Sequence, residues 1–166
     1  PGVAQDASGN IYWTDNQRLM KRTSTGVVSV VAGVFGNVFF QGDGDLAVRA
    51  LLNTPGPLAV DSTGNVYVAD NGNFRVRKIT VSTGIITTVA GNGNNVPFEG
   101  DGLPAVSVGL SGQIRGLAVD ASGNIFFTEV FGGTGVIRKV AVSTGVISTL
   151  TGRGWTGNTN TTDAED

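Results

Sequence analysis

Apolar positions along this chain fall into short runs, four to a cluster, and the cluster occurs three times. The middle copy shows it best. Leu58-Ala59-Val60, Asn65 to Ala69, Phe74 to Val81 and Ile85 to Ala90 are runs rich in β-branched and aromatic residues. Between them lie Asp61-Ser62-Thr63-Gly64, Asp70-Asn71-Gly72-Asn73 and Ser82-Thr83-Gly84, which are turn sequences. Loops this short make consecutive strands antiparallel neighbours, so each cluster predicts a four-stranded meander. Period-2 alternation sends Val66 and Val68 to one face and Tyr67 and Ala69 to the other. Both faces are apolar, so these sheets need cover on both sides.

The repetition is direct. Asp6-Ala7-Ser8-Gly9-Asn10-Ile11-Tyr12 returns as Asp61-Ser62-Thr63-Gly64-Asn65-Val66-Tyr67 and as Asp120-Ala121-Ser122-Gly123-Asn124-Ile125-Phe126. The leading aspartates are 55 and 59 residues apart (61 − 6; 120 − 61). Ser24-Thr25-Gly26 matches Ser82-Thr83-Gly84 and Ser143-Thr144-Gly145. Three units follow, 1–54, 55–112 and 113–166. Meanders stacked face to face are blades of a β-propeller. A β-sandwich is the rival, and it has no need of three near-identical meanders. The linkers repeat as well: Gly42-Asp43-Gly44-Asp45-Leu46-Ala47 corresponds to Gly100-Asp101-Gly102-Leu103-Pro104-Ala105, each leading into one or two expected helical turns. The stretch 154–166 lacks Gly-Asp-Gly.

Composition narrows the chemistry. The 166 residues include 26 Gly and no Cys or His, with 14% charged and a net charge of −2. Disulfides, thiolate nucleophiles, Ser-His-Asp triads and His- or Cys-liganded metals are excluded. Three Lys and eight Arg do not make the basic stripe that nucleic acid requires. No apolar run approaches the ~20 residues of a membrane-spanning helix.

The motifs resemble NHL-repeat proteins. Gly116-Leu117-Ala118-Val119-Asp120-Ala121-Ser122-Gly123-Asn124-Ile125 is similar to that family's blade opening, and Asn71-Gly72-Asn73-Phe74-Arg75-Val76-Arg77-Lys78 to its Asn-His-Arg-Ile-Arg-Lys segment, with Phe74 in place of His. Thr87 to Gly93, followed by Phe98-Glu99-Gly100-Asp101-Gly102, resembles the long-linker type of extracellular and bacterial members. The resemblance implies an all-β propeller segment of three four-stranded antiparallel blades, half of a usual six-bladed ring. It leaves function open, since relatives include binding platforms, receptor sensor domains and an amidating lyase. That lyase holds zinc through histidine, which this chain lacks.

Candidate sites are few. Asp6, Gly9 and Asn10, Asp61, Gly64 and Asn65, and Asp120, Gly123 and Asn124 read as structural turns. Asp43, Asp45 and Asp101 are calcium candidates, set against helix-capping aspartates; neither stretch has the spacing of a full calcium loop. Lys21-Arg22, Arg75-Arg77-Lys78 and Arg138-Lys139 are read as outer-strand residues covering apolar surface and pairing with turn aspartates. Glu129 stands where the other units have Asp15 and Asp70. Asn160-Thr161-Thr162 is an N-glycosylation acceptor. Trp13, Phe39, Phe40, Phe98, Phe126, Phe127 and Trp155 are expected to pack between blades.

Three blades leave two apolar faces bare. The partners expected are therefore protein: further blades in the same polypeptide, or copies of the chain closing a ring or running into a filament. The start at Pro1 reads as a fragment or processed unit. The resulting expectation is a non-enzymatic, extracellular or cell-surface interaction and structural module without a cofactor. The competing expectation is a fragment of a calcium-dependent lactonase-like hydrolase, and a nucleic-acid-binding platform is a third.

Overall fold

The computed structural model describes residues 1–36, 39–98 and 100–152. Twelve strands form three separate four-stranded antiparallel sheets. The first holds β1 (Val3–Gln5), β2 (Ile11–Asp15), β3 (Arg18–Arg22) and β4 (Val28–Ala32). The second holds β5 (Pro55–Val60), β6 (Val66–Asp70), β7 (Arg75–Thr80) and β8 (Ile85–Ala90). The third holds β9 (Ile114–Val119), β10 (Ile125–Phe131), β11 (Thr134–Val140) and β12 (Ile147–Gly152). Strand order follows the sequence in every sheet, as a meander requires. These are the blades expected from the repeats.

All five residues of β6 are buried, and the alternation decides what covers them. Val66 and Val68 join Tyr12, Leu19 and Ala32 in a core between blades 1 and 2. Tyr67 and Ala69 join Ile114, Ile125 and Phe127 in a core between blades 2 and 3. The hydrophobic interior thus consists of two seams, one on each face of the middle blade. At about 25 cal/mol per Å² of apolar area, such seams are the main stabilising contribution.

Each linker contributes a strap to its seam. Ala47, Ala50 and Leu52 are buried in the first, and Ala105, Val108 and Leu110 in the second. The helical part is a single 3-10 turn, at Ala47–Arg49 and at Ala105–Ser107, within the one or two helical turns expected. Another 3-10 turn, Asn71–Asn73, lies in the β6–β7 connection. Among the described residues no helix is long and apolar enough to cross a membrane.

The Asp-x-x-Gly-Asn turns have the same wiring in each blade. Asp61 Oδ1 accepts the Thr63 and Asn65 N–H groups, and Asp61 Oδ2 accepts the Asn65 amide at 2.8 Å. Asp6 and Asp120 repeat these bonds with Ser8 and Asn10, and with Ser122 and Asn124. Gly64 sits at φ +85, a conformation open to glycine at no steric cost. Each Asn then accepts from the chain beyond the third strand: Asn10 from Ser24 N–H, Asn65 from Val81 N–H and Asn124 from Val142 N–H. One side chain therefore ties two turns together.

Candidate functional site

The seams and the open faces hold the chemistry-bearing residues. Arg77 and Arg138 are not outer-strand covers: both side chains are fully buried. Arg77 lies opposite Val68, and Arg138 opposite Phe127, on the face turned toward the preceding blade. Arg77 Nη1 lies 3.4 Å from Asp70 Oδ2, and its Nη2 lies 2.7 Å from Asp43 Oδ1. Arg138 Nη1 donates to Glu129 Oε2 at 2.9 Å, and Nη2 to Asp101 Oδ1 at 3.1 Å. Each buried guanidinium thus joins a carboxylate late in its own blade's second strand to a linker aspartate. Sequence reasoning missed this burial because it placed every recurring cation at the surface. The recurrence of Gly-Asp-Gly before each Arg-bearing strand was the available signal.

The calcium candidates are accounted for one by one. Asp43 and Asp101 are these arginine partners, and Asp101 also accepts the Thr149 hydroxyl at 3.1 Å. Asp45 Oδ1 accepts the adjacent Leu46 N–H. None caps a helix; the residues before the 3-10 turns are Leu46 and Pro104, with no side-chain cap. Among the described residues no three acidic side chains converge on one point. Glu99, Trp155 and the acceptor Asn160 lie outside the described residues.

Burial governs the electrostatics of the strand-end acids. It pushes Asp70 and Glu129 above the ordinary carboxylate range. Hydrogen bonds pull the other way without overcoming it: the Asn73 amide and the Asn53 N–H on Asp70, and the Ser111 N–H at 2.6 Å on Glu129. The charges of Arg77 and Arg138 also pull down. In the turns, burial is the largest single influence on Asp6 and Asp61 and disfavours their charge, but the hydrogen bonds from Asn10, Tyr12 and Ser8, and from Asn65 and Thr63, together outweigh it and lower both acids. The Asn124 bond lowers Asp120. Tyr67, desolvated and hydrogen-bonded to Asp61, is pushed up to about 12.

The lysines use the opposite face from the arginines. Lys21, Lys78 and Lys139 lie directly across the strand from Tyr12, Tyr67 and Phe126, and each ammonium sits 5.3 to 5.7 Å from the ring centre. Phe127 packs in a seam as expected. Phe40 instead lies 3.6 Å above the Arg75 guanidinium and 4.8 Å from that of Arg77, and Phe39 is exposed.

Among the described residues, two faces have no blade against them. On blade 1, Val3, Trp13, Met20 and Val30 form one cross-strand row. The equivalent row of blade 2 is Leu58, Val68, Arg77 and Thr88, on the face covered by blade 1. Val3 is 72% exposed, and Val28 and Val30 are exposed beside it. On blade 3, Ile137 and Leu150 are exposed.

Residues 52–79 match the NHL repeat. That segment covers blade 2 from its strap leucine to its third strand. The chain is also similar to Teneurin-4 of Homo sapiens, 38% identical over 80 residues, which is 43% of this chain and 3% of that protein. It is 38% identical over 121 residues to Teneurin-3 of Danio rerio, 64% of this chain and 4% of that one. It therefore spans only a few hundredths of the length of these relatives. Among solved structures, a Bacteroides thetaiotaomicron protein of unknown function superposes with TM-score 0.68 at 23% identity, covering 82% of this chain and 34% of that one. A nidogen/laminin complex structure gives 0.63 at 16%, covering 91% and 47%. A Xanthomonas campestris gluconolactonase gives 0.59 at 15%, covering 92% and 46%. At these identities the superpositions establish the fold, which binding proteins and enzymes share.

Proposed function

We propose that this chain is a non-enzymatic interaction and structural module built of NHL repeats, acting at the cell surface or outside the cell. Its partners are protein: further blades of the same polypeptide, or copies of itself in a closed ring or a filament. The observation that carries the reading is the bare row Val3–Trp13–Met20–Val30, which is apolar and built like a row that another blade covers. An apolar sheet face of this kind marks an interaction surface. The use of Asp43, Asp70, Asp101 and Glu129 as arginine counter-ions supports a structural role for the recurring acids. The likeness to teneurins and the long linkers favour the extracellular setting.

Trp13 supplies the test, because it is half-buried on the open row. In a Trp155→Phe background its emission moves to shorter wavelength as concentration rises, and Met20→Glu holds it at the dilute value. An emission that does not change with concentration contradicts the proposal.

A further inference from the structure

One end of the seam between blades 1 and 2 is open where the matching end of the seam between blades 2 and 3 is filled. The filler is Phe74, which closes the Asn71 to Phe74 connection at φ +53. Gly112 lies so near its ring that a Cβ there would be 2.9 Å from Phe74 Cε1. Gly112 stands two places after the strap leucine Leu110. An aromatic ring on a bare glycine thus closes that end.

Both parts are replaced in the first seam. The connection from β2 to β3 is only Asn16-Gln17. Gln17 holds the place of Phe74: its carbonyl lies against Gly33, as that of Phe74 lies against Gly91. Thr54 holds the place of Gly112, two residues after Leu52. Between them is a cleft of about 360 Å³ lined by Asn16, Gln17, Phe35, Gly36, Asn53 and Thr54. That volume falls within the range of small-ligand sites. Thr54 is exposed and held at φ +45. A β-branched residue is seldom found there, and strain of this kind collects at ligand sites.

The lining selects the ligand. Three carboxamides and a hydroxyl supply donors and acceptors together, and none of the six residues is charged. The charges beside them cancel: Arg18 pairs with Asp15 at 2.9 Å and lies 5.8 Å from the centre of the Phe35 ring. Two of the amides are braced from behind. Asn53 donates its N–H to Asp70 and its side-chain amide to the Gly72 carbonyl, and Gln17 Oε1 accepts the Gly36 N–H at 2.6 Å. Among the described residues Asn16 Oδ1, Gln17 Nε2 and Thr54 Oγ1 make no hydrogen bond. Phe35 is 66% exposed. Neither an anion nor a cation finds a counter-charge in this lining. A wholly apolar ligand would strip water from the amides without replacing it. A ring bearing several hydroxyls and one C–H face meets both demands, its hydroxyls on the amides and its C–H face on the phenyl ring.

We infer that this cleft binds a neutral hexopyranose unit. Asn16, Gln17, Asn53 and Thr54 hydrogen-bond its hydroxyls, and Phe35 stacks on its C–H face. The site stands apart from the assembly reading, since it uses neither bare blade face.

The test uses the full chain, isotope-labelled for amide spectroscopy, and the methyl glycosides of glucose, mannose and galactose. Titration into the high millimolar range gives saturable shifts with at least one of them, centred on the side-chain amides of Asn16, Gln17 and Asn53 and on the Thr54 N–H. Gln17→Phe combined with Thr54→Gly copies the closed seam and removes the shifts while the chain stays folded. Phe35→Ala, at a position already exposed in the free chain, weakens binding about tenfold or more. The free sugars, titrated alongside, tell a glycan end from a monosaccharide: glycosides that bind as well as free sugars support the first source, and free sugars that bind better support the second. No saturable shift with any of these sugars overturns the inference. So do shifts that glycerol reproduces, or that both variants leave unchanged.

Discussion

Arg77 tests how the linkers hold the blades, because its partners differ in depth. Asp70 is wholly buried, whereas the Asp43 side chain is 36% exposed. Asp70→Ala leaves a buried guanidinium with one half-solvated partner and takes the acceptor from the Asn53 N–H and the Asn73 amide. Breaking a buried pair in this way costs about 3–5 kcal/mol. Arg77→Met is gentler. Asp70 keeps the Asn53 bond at 2.7 Å and the Asn73 bond at 2.9 Å, and Asp43 turns to water. Methionine already occupies the matching place in blade 1, where Met20 lies opposite Trp13. The expected cost is about 1–2 kcal/mol. At roughly 2–4 °C per kcal/mol for a domain of this size, Tm falls by about 2–8 °C for Arg77→Met and about 6–20 °C for Asp70→Ala.

The two variants also differ in pH dependence. Burial already holds Asp70 above its ordinary value of 3.8, and loss of Arg77 removes a charge that pulls it down. A carboxyl raised in the folded state contributes stability that is present at low pH and lost as pH rises through its folded value. The Arg77→Met penalty is therefore largest near neutrality and shrinks on acidification. Urea unfolding followed by circular dichroism, near pH 7 and about pH 5, reads both effects. Equal penalties for the two variants, or an Arg77→Met penalty independent of pH, would refute the reasoning.

Three further outcomes follow from the same geometry. Gly2→Ala forces a Cβ into the blade 2 backbone and costs about 1–3 kcal/mol, whereas Gly116→Ala meets only the Thr128 side chain and costs less than about 1; equal losses in chemical denaturation would contradict the two-seam description. Tyr67 ionises at about 12 by tyrosinate absorbance, and Asp61→Asn lowers that value; since its folded pKa is raised, its contribution to stability is present below pH 10 and lost as pH passes about 12. Asp6, Asp61 and Asp120 have lowered values, so their contribution is present above 3.8 and fades as pH falls below it; Asp61→Asn flattens that acid limb, and an unchanged acid melting profile would argue against the turn wiring.

Much of the fold was legible because turns and alternation are local signals. β8 begins and ends where the Ile85 to Ala90 run does, and the opposed faces of Val66 and Tyr67 follow from period 2 alone. The strap leucines were not visible in that way. Leu52 and Leu110 lie outside the strands, and their burial depends on how a linker crosses a blade edge. Arg77 and Arg138 were misplaced for a related reason. A charged residue in an apolar strand reads as exposed unless its counter-ion is known, and Asp43 and Asp101 are more than thirty residues away in sequence. The aspartates read in the sequence as possible cation ligands, and the cation they meet is a guanidinium.

The central claim is that bare blade faces make this chain an assembling module. Sedimentation equilibrium of the full chain tests it most directly. The account predicts a mass that rises with concentration above the 17.0 kDa of one chain and returns to it with Met20→Glu. A folded species of 17.0 kDa at every concentration would contradict it.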